Sequence, residues 1–426
     1  MHDDTSPLPR RRLHTSATRC WGPVAALCAA LALGACGTAQ TQLAPAVKDA
    51  FTRETTAPWP QASLVSSDGQ VRGEVEASAA PLVERDSGEP DDPTAYRIEI
   101  PLGDVEPIRC TLTGQSYALG SAAARMLSGK LIEASIQQRI AGLEAGAVGD
   151  RPFLYAQVVG TAHADGEAAL YQAKFFFAPL RFGAMHCVHL GLGYASTVRR
   201  VLSGLLGSLE FAPQADEAPP TYHEVTLTRV GPLTCGFNET RFYQRPDGGW
   251  GAVLRSVLVA PQSPSAAIGM DQLRVTSADA NGVLERAASD SYAGGQRLFS
   301  LALEREPLGF AYAVSGEMQG RAVEDTLASR APLRDDVSLA RQIAAGTRGG
   351  TWSMPQWMPE LQPLHAVDVA VTCPPREENT DVPCDVNAGT LHFEAMMDAN
   401  GMARSATVDT GKVEMTIERV YARGRF

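Results

Sequence analysis

The chain has 426 residues, 44% of them hydrophobic, and carries a formal net charge of −11 at neutral pH. That apolar content can fill ordinary cores over two or three domains. The acidic balance repels phosphates and anionic head groups, which excludes nucleic acid as a broad partner.

The first residues read as an address. Arg10, Arg11, Arg12 and Arg19 make a positive start, and Val24 to Leu33 is an apolar run of ten residues. A permanent membrane-spanning helix needs roughly 20 apolar residues, so this run suits a secretory signal instead. It ends on small residues in Leu33-Gly34-Ala35-Cys36, a tetrad that resembles the lipobox of bacterial lipoproteins. The resemblance covers about residues 1–40. It implies that residues 1–35 are removed as a signal peptide and that Cys36 takes lipid on its sulfur and its freed amine. Several acyl chains together give stable anchoring where one does not. The membrane, reached through Cys36, is then the first expected partner and a further envelope protein the second. Gly37 stands where an aspartate would retain many lipoproteins at the inner membrane, which favours the outer membrane in a bacterium with two.

Past the anchor, residues 36–61 are polar, with Thr, Gln, Ala and Pro and no lasting period, and read as a flexible tether. The first α+β module spans 62–212. A hairpin is expected through Ser67-Asp68-Gly69, and Tyr96-Ile98-Ile100 and Ile108-Cys110-Leu112 alternate as strands do. Between Ala118 and Leu143 the pattern is helical. Three strands follow, with Phe153 to Gly160 first, then Tyr171, Ala173, Phe175 and Phe177 on one face, then His186, Val188 and Leu190 on another. A closing helix carries the stripe Val198, Val201, Leu202, Leu205 and Leu209, with Ser196 as its N-cap.

The second module, 220–346, opens with an echo. Glu99 to Cys110 aligns without gaps on Glu224 to Cys235, with five identities at an offset of 125, and the same offset lays Val198 and Leu202 over Val323 and Leu327. This reads as a decayed tandem duplication. A helix over 333–346 starts at Asp335 and Asp336 and ends at Gly346. Residues 364–426 are β throughout, within a β-rich C-terminal module over 351–426, while the prolines of 351–363 keep that stretch out of helix interior and central strand. The expected class is therefore α+β: two tandem, duplicated modules of antiparallel sheet with packed helices, then a β-rich end.

The chemistry-bearing motifs are few. Gly114-Gln-Ser116-Tyr-Ala118 approaches the serine-hydrolase elbow, but the strand before it alternates polar and apolar, unlike the buried strand an elbow follows. A hydrolase tethered to the envelope, using Ser116 or an unrecognised carboxylate pair, is the competing reading. His186-Cys187-x-His189 puts two ligand types on one strand face, fewer than zinc needs. Asp279-Ala-Asn-Gly282 and Asp398-Ala-Asn-Gly401 lack the glutamate of a calcium loop and read as hairpin turns. No cofactor fingerprint is present, and a non-catalytic binding or scaffolding role is expected. Five cysteines follow Cys36. Cys110 and Cys187 fall on core strands of one module and are paired, Cys373 and Cys384 clip a polar loop, and Cys235 is left over. Trp352, Met354, Trp357 and Met358 sit among three prolines in 351–363 and are the expected docking patch, or else the packing between modules.

Overall fold

The computed structural model describes residues 45–55, 57–86, 95–114, 118–129, 135–164, 167–180, 183–212, 218–307, 309–377, 380–409 and 414–426. Residues 1–35, expected as a signal peptide, and Cys36 lie outside these residues, as does Ser116. Strands hold 62% of the chain and helices 11%, so the expected α+β class gives way to a mostly β architecture.

Helix α1 (Pro45–Thr52) comes first. The hairpin β1 (Gln61–Val65) and β2 (Val71–Glu76) then forms a small sheet with β10 (Glu210–Phe211). A second sheet takes β3 (Leu82–Asp86), β4 (Ala95–Leu102), β5 (Val105–Thr113), β6 (Ser135–Val148), β7 (Arg151–Ala164), β8 (Glu167–Leu180) and β9 (Gly183–Leu190), in the order β3-β4-β5-β9-β8-β7-β6. Helix α2 (Leu119–Ser128) and helix α3 (Ala195–Ser208) pack on its opposite faces.

The helix expected to reach Leu143 stops at Ser128. From Ser135 the chain is strand, because its glycines serve as seats for rings across the ladder: a Cβ on Gly146 would lie 2.5 Å from the Phe153 ring. Ser196 does not cap α3. Tyr194 holds that position, at φ 60°, and offers no side-chain bond. Glu54 caps the helix from a distance, accepting from the backbone of Ser196 at 2.8 Å and of Thr197 at 2.9 Å. The segment expected to be a loose tether is thus helical from Pro45 and docked by residue 54.

The rest of the chain is one sheet. Strands β11 (Tyr222–Val230), β12 (Leu233–Gln244), β13 (Trp250–Ser263), β14 (Ala266–Ala278), β15 (Leu284–Ala293), β16 (Gln296–Arg305), β17 (Ala311–Met318) and β18 (Arg321–Ala328) form one antiparallel meander. After helix α4 (Asp336–Ala345), a second meander runs through β19 (Gly350–Gln356), β20 (Val367–Cys373), β21 (Val382–Ala388), β22 (Leu391–Met397), β23 (Ala403–Asp409) and β24 (Glu414–Gly424). Antiparallel pairing of β11 with β24 fuses the two into 14 strands. The expected boundary between a second module and a C-terminal one therefore does not exist.

The duplication also fails. The turn at Gly103 maps by the offset of 125 onto Thr228, inside β11, and Val323 and Leu327 lie on a strand, whereas Val198 and Leu202 are helical. The echo is a shared alternation of two hairpins.

Both halves of the large sheet send side chains from one face to α4. Leu339 and Ile343 pack on Val371, Val386 and Ala395, while Val337 packs on Tyr222, Phe242 and Trp250. The cap is as read from sequence: Asp335 accepts from the Ser338 amide at 2.9 Å. Both Asp-Ala-Asn-Gly stretches are turns, with the Asp279 and Asp398 carboxylates each bound to two following amides. They clasp α4. A Cβ on Gly282 would stand 1.6 Å from Ser338 Oγ, and one on Gly401 2.1 Å from the Ala340 carbonyl oxygen.

The seven-stranded sheet stacks on the opposite face of β11–β14, where Leu154, Ala156, Phe175 and Phe177 meet Phe237, Val257 and Val259. Cys110 and Cys187 are directly opposed in the β5–β9 ladder and bonded, and Cys373 is bonded to Cys384. Among the described residues Cys235 is the free cysteine, and burial pushes its thiol up to about 12.

The clasp predicts a contrast between two glycines of positive φ. Gly149 has φ 60° and nothing within 4 Å of an added Cβ, so Gly149→Ala costs only the left-handed strain, about 1 kcal/mol. Gly401→Ala adds a clash with helix backbone and costs about 3 kcal/mol or more. Urea unfolding of the two variants checks this, and equal losses would remove the clasp as the reason for Gly401.

Candidate functional site

Strand pairing builds a polar row that no single strand shows. Thr226 of β11 lies opposite Asn238, Asn238 opposite Ser256, Ser256 opposite Gln272, and Gln272 opposite Ser291. Five adjacent strands thus present hydroxyl or amide groups at one level, on the face that looks toward α4. Asn238 donates to Thr226 Oγ1 at 3.0 Å and Thr228 Oγ1 at 3.2 Å, which fixes its amide.

Beside the row lies a pocket of about 210 Å³. Thr228, Asn238, Ser256, Asp271, Gln272 and Ser291 supply its polar side, and Leu258, Met270, Met415 and Ile417 its apolar side. Glu360 reaches it from the turn after β19. That turn is held by Trp357, buried among Leu284, Leu301 and Leu303, with its indole donating to the Pro363 carbonyl at 3.1 Å. Glu360 accepts from Gln272 at 2.8 Å and lies 3.7 Å from the Arg274 guanidinium. Arg274 also pairs with Asp336 at 3.0 Å and donates to the Trp357 carbonyl, also at 3.0 Å. The described lining contains no histidine or cysteine, and its ionisable groups are the carboxylates of Asp271 and Glu360. It can bind and orient a small molecule.

Two further polar clusters belong to the frame. On β8 the Lys174 ammonium is fully buried, 3.3 Å from His189 Nδ1 and bonded to the Gly191 carbonyl. Burial draws Lys174 down to about 8, and burial with the neighbouring Lys174 charge draws His189 down to about 4. The imidazole is thus a neutral acceptor at pH 7. Where the two large sheets meet, His223 lies 3.1 Å from Glu239 and 3.5 Å from Asp150 in the β6–β7 turn. Arg241 and Arg255 share Glu239. Burial opposes the His223 cation, but the bonds to Asp150 and Glu239 outweigh it and raise its pKa.

The residues singled out from sequence are scattered. Trp352, Met354, Trp357 and Met358 do not form an exposed patch. Trp352 and Met354 lie on β19, an edge strand that tolerates Pro355, and Trp352 packs against Gly346 and the Cys373–Cys384 side of α4. Met354 and Trp357 are buried, and Met358 packs on Val367 and Val369. Their role is packing. Cys187 is consumed by its disulfide, which removes the His-Cys-x-His stretch as a ligand set. Sequence reasoning missed the pocket entirely. The faint signal was a polar residue interrupting an apolar strand, as Ser256 does within Val253 to Val259.

Two pH effects follow. The Lys174 pKa is depressed, so between pH 8 and pH 10.5 the unfolded chain holds a proton that the native state has released. Stability therefore rises with pH across that window, by roughly 3 kcal/mol. Thermal melts of Lys174→Met at pH 7 and pH 10 are expected to start higher and lose this rise; an unchanged pH slope would count against the buried amine. For His223 the sign reverses. Its raised pKa gives stability that is full below pH 6.5 and declines as pH climbs through the folded value. His223→Gln should flatten that decline, seen as a smaller gap in urea midpoint between pH 6 and pH 8.5.

No protein-family model matches the chain, and no curated protein matches it. Among solved structures, it is similar to a β-barrel-like protein of a domain of unknown function from Brucella abortus. That likeness has 12% sequence identity, covers 48% of this chain and 97% of the other, and has a TM-score of 0.38.

Proposed function

We propose that the protein is a lipid-anchored component of the bacterial cell envelope that binds a small ligand in the pocket of its 14-stranded sheet. The observation that carries the binding reading is the cross-strand row from Thr226 to Ser291, with the pocket beside it. Thr226 and Ser291 are buried and Asn238, Ser256 and Gln272 half-buried, so these hydroxyls and amides are partly withdrawn from water and need partners. The anchor rests on Leu33-Gly34-Ala35-Cys36, and two disulfides fit an oxidising, non-cytoplasmic compartment.

The docked N-terminal segment adds a geometric consequence. Only eight residues, nine chain steps, separate Cys36 from Pro45, the start of α1. Fully extended, they span about 30 Å. A body anchored through Cys36 is held close to its membrane, not suspended on a long leash.

Labelling cells with a fatty-acid analogue tests the anchor. Wild-type protein should take the label and fractionate with membranes, and Cys36→Ala should accumulate as an unlabelled precursor. Equal labelling of the two proteins would discard the anchor.

A further inference from the structure

The charges around the pocket are unequal in number. Arg274 stands between Asp336 and Glu360, and Arg419 stands between Glu224, at 3.5 Å, and Asp398, at 2.8 Å. These two guanidiniums each face two carboxylates. Arg376 adds a third guanidinium but bonds backbone carbonyls of Ala344 and Asp398. Among these named groups four carboxylates stand beside three guanidiniums.

Arg274 and Glu360 are both largely removed from water, with side chains 8% and 13% exposed. Buried charge of one sign is costly without a counter-charge. Two carboxylates line the pocket: Asp271, whose oxygens already accept from the Gly120 and Ser121 amides, and Glu360. Its Oε2 takes the Gln272 amide, and its Oε1 is 3.7 Å from Arg274, beyond hydrogen-bond length. Acceptor capacity is left on the pocket side. Around it stand the Ser256 and Ser291 hydroxyls, which can accept from a donor with several protons. Beyond them, Leu258, Met270, Met415 and Ile417 form an apolar wall, and thioethers adapt to varied shapes.

From this arrangement we propose that the pocket binds a small amphiphilic cation: a primary ammonium group set against Glu360 and the serine hydroxyls, with a short aliphatic body on the methionine wall. The inference rests on the binding reading above and adds the charge and class of the ligand. The cavity measures about 210 Å³. That admits one short-chain amine and excludes a lipid with its full acyl chains.

The probes are n-pentylammonium, 1-pentanol and pentanoate, which share a tail and differ in head-group charge. Binding to the non-lipidated body is followed by calorimetry and by the shift in melting temperature. Pentylammonium should bind about tenfold or more tighter than pentanol, the worth of one charge-assisted hydrogen bond, and pentanoate weakest. Glu360→Gln keeps the bond to Gln272 and should erase the advantage of the amine over the alcohol. Ser256→Met fills the pocket and should abolish binding of all three. As a check free of mutation, added salt should weaken the amine on wild-type protein and leave the alcohol unchanged. Equal or better binding of pentanoate, or an amine affinity untouched by Glu360→Gln or by salt, overturns the cationic ligand but leaves a binding pocket. No binding of any probe to folded wild-type protein overturns both readings.

Discussion

The ladder between β11 and β24 is the contact on which the rest of the structure depends. Its nine pairs run from Tyr222 opposite Gly424 to Val230 opposite Met415, about 200 residues apart along the chain. Every other ladder in the large sheet joins strands consecutive in sequence. Without this one the C-terminal half would be two separate meanders, each with an open edge to guard against unwanted pairing. With it the two share a face, and that face can enclose α4. Closing so long a loop carries an entropic cost that grows only slowly with length. The apolar clusters formed on both sides of α4 offset it.

Helix α4 shows how the enclosure is made specific. Ridge contacts through Val337, Leu339 and Ile343 would tolerate small shifts of the helix, as apolar packing generally does. The two Asp-Ala-Asn-Gly turns do not tolerate them. Each aspartate fixes its own turn by bonding two amides, and each glycine brings backbone against the helix where a side chain has no room. Arg274 completes the fixing, tying β14 to the start of α4 through Asp336 and to the following turn through the Trp357 carbonyl. Glu360 owes its position at the pocket to that same turn.

The two large sheets are joined differently on the far side. There the contact is mostly apolar, with Asp271 of β14 accepting from the amides of Gly120 and Ser121 at the start of α2. A carboxylate at a helix N-terminus meets free donors and the positive end of the helix dipole. Burial still raises its pKa. The His223, Glu239 and Asp150 cluster is a second polar join, and between them the two fix the angle of the sheets. The pocket lies on the other face of the same strands, so its shape is set by β11–β14 being held from both sides.

Alternation is a local property, and the sequence by itself determined most of the strands, the Asp335 cap on α4, the Asn-Gly turns and both disulfides. Cys110 and Cys187 fall on core strands, and Cys373 and Cys384 flank one short loop, so few alternatives competed. The resemblance of Leu33-Gly34-Ala35-Cys36 to a lipobox is carried by the linear string alone. Where the sequence misled, a local signal had two meanings. Small residues from Ala118 to Leu143 suit a helix, and they equally suit a strand whose glycines seat aromatic rings. Trp352 to Met358 suit a docking patch, and they equally suit an edge strand and the turn behind it. Only the tertiary structure decided which strands are neighbours. Thr226, Asn238, Ser256, Gln272 and Ser291 are ordinary polar residues on five separate strands, and they become one row through register, which depends on every ladder at once. Glu360, in a proline-bounded turn, joins them because Trp357 needs an apolar place to hide and finds it inside the same sheet.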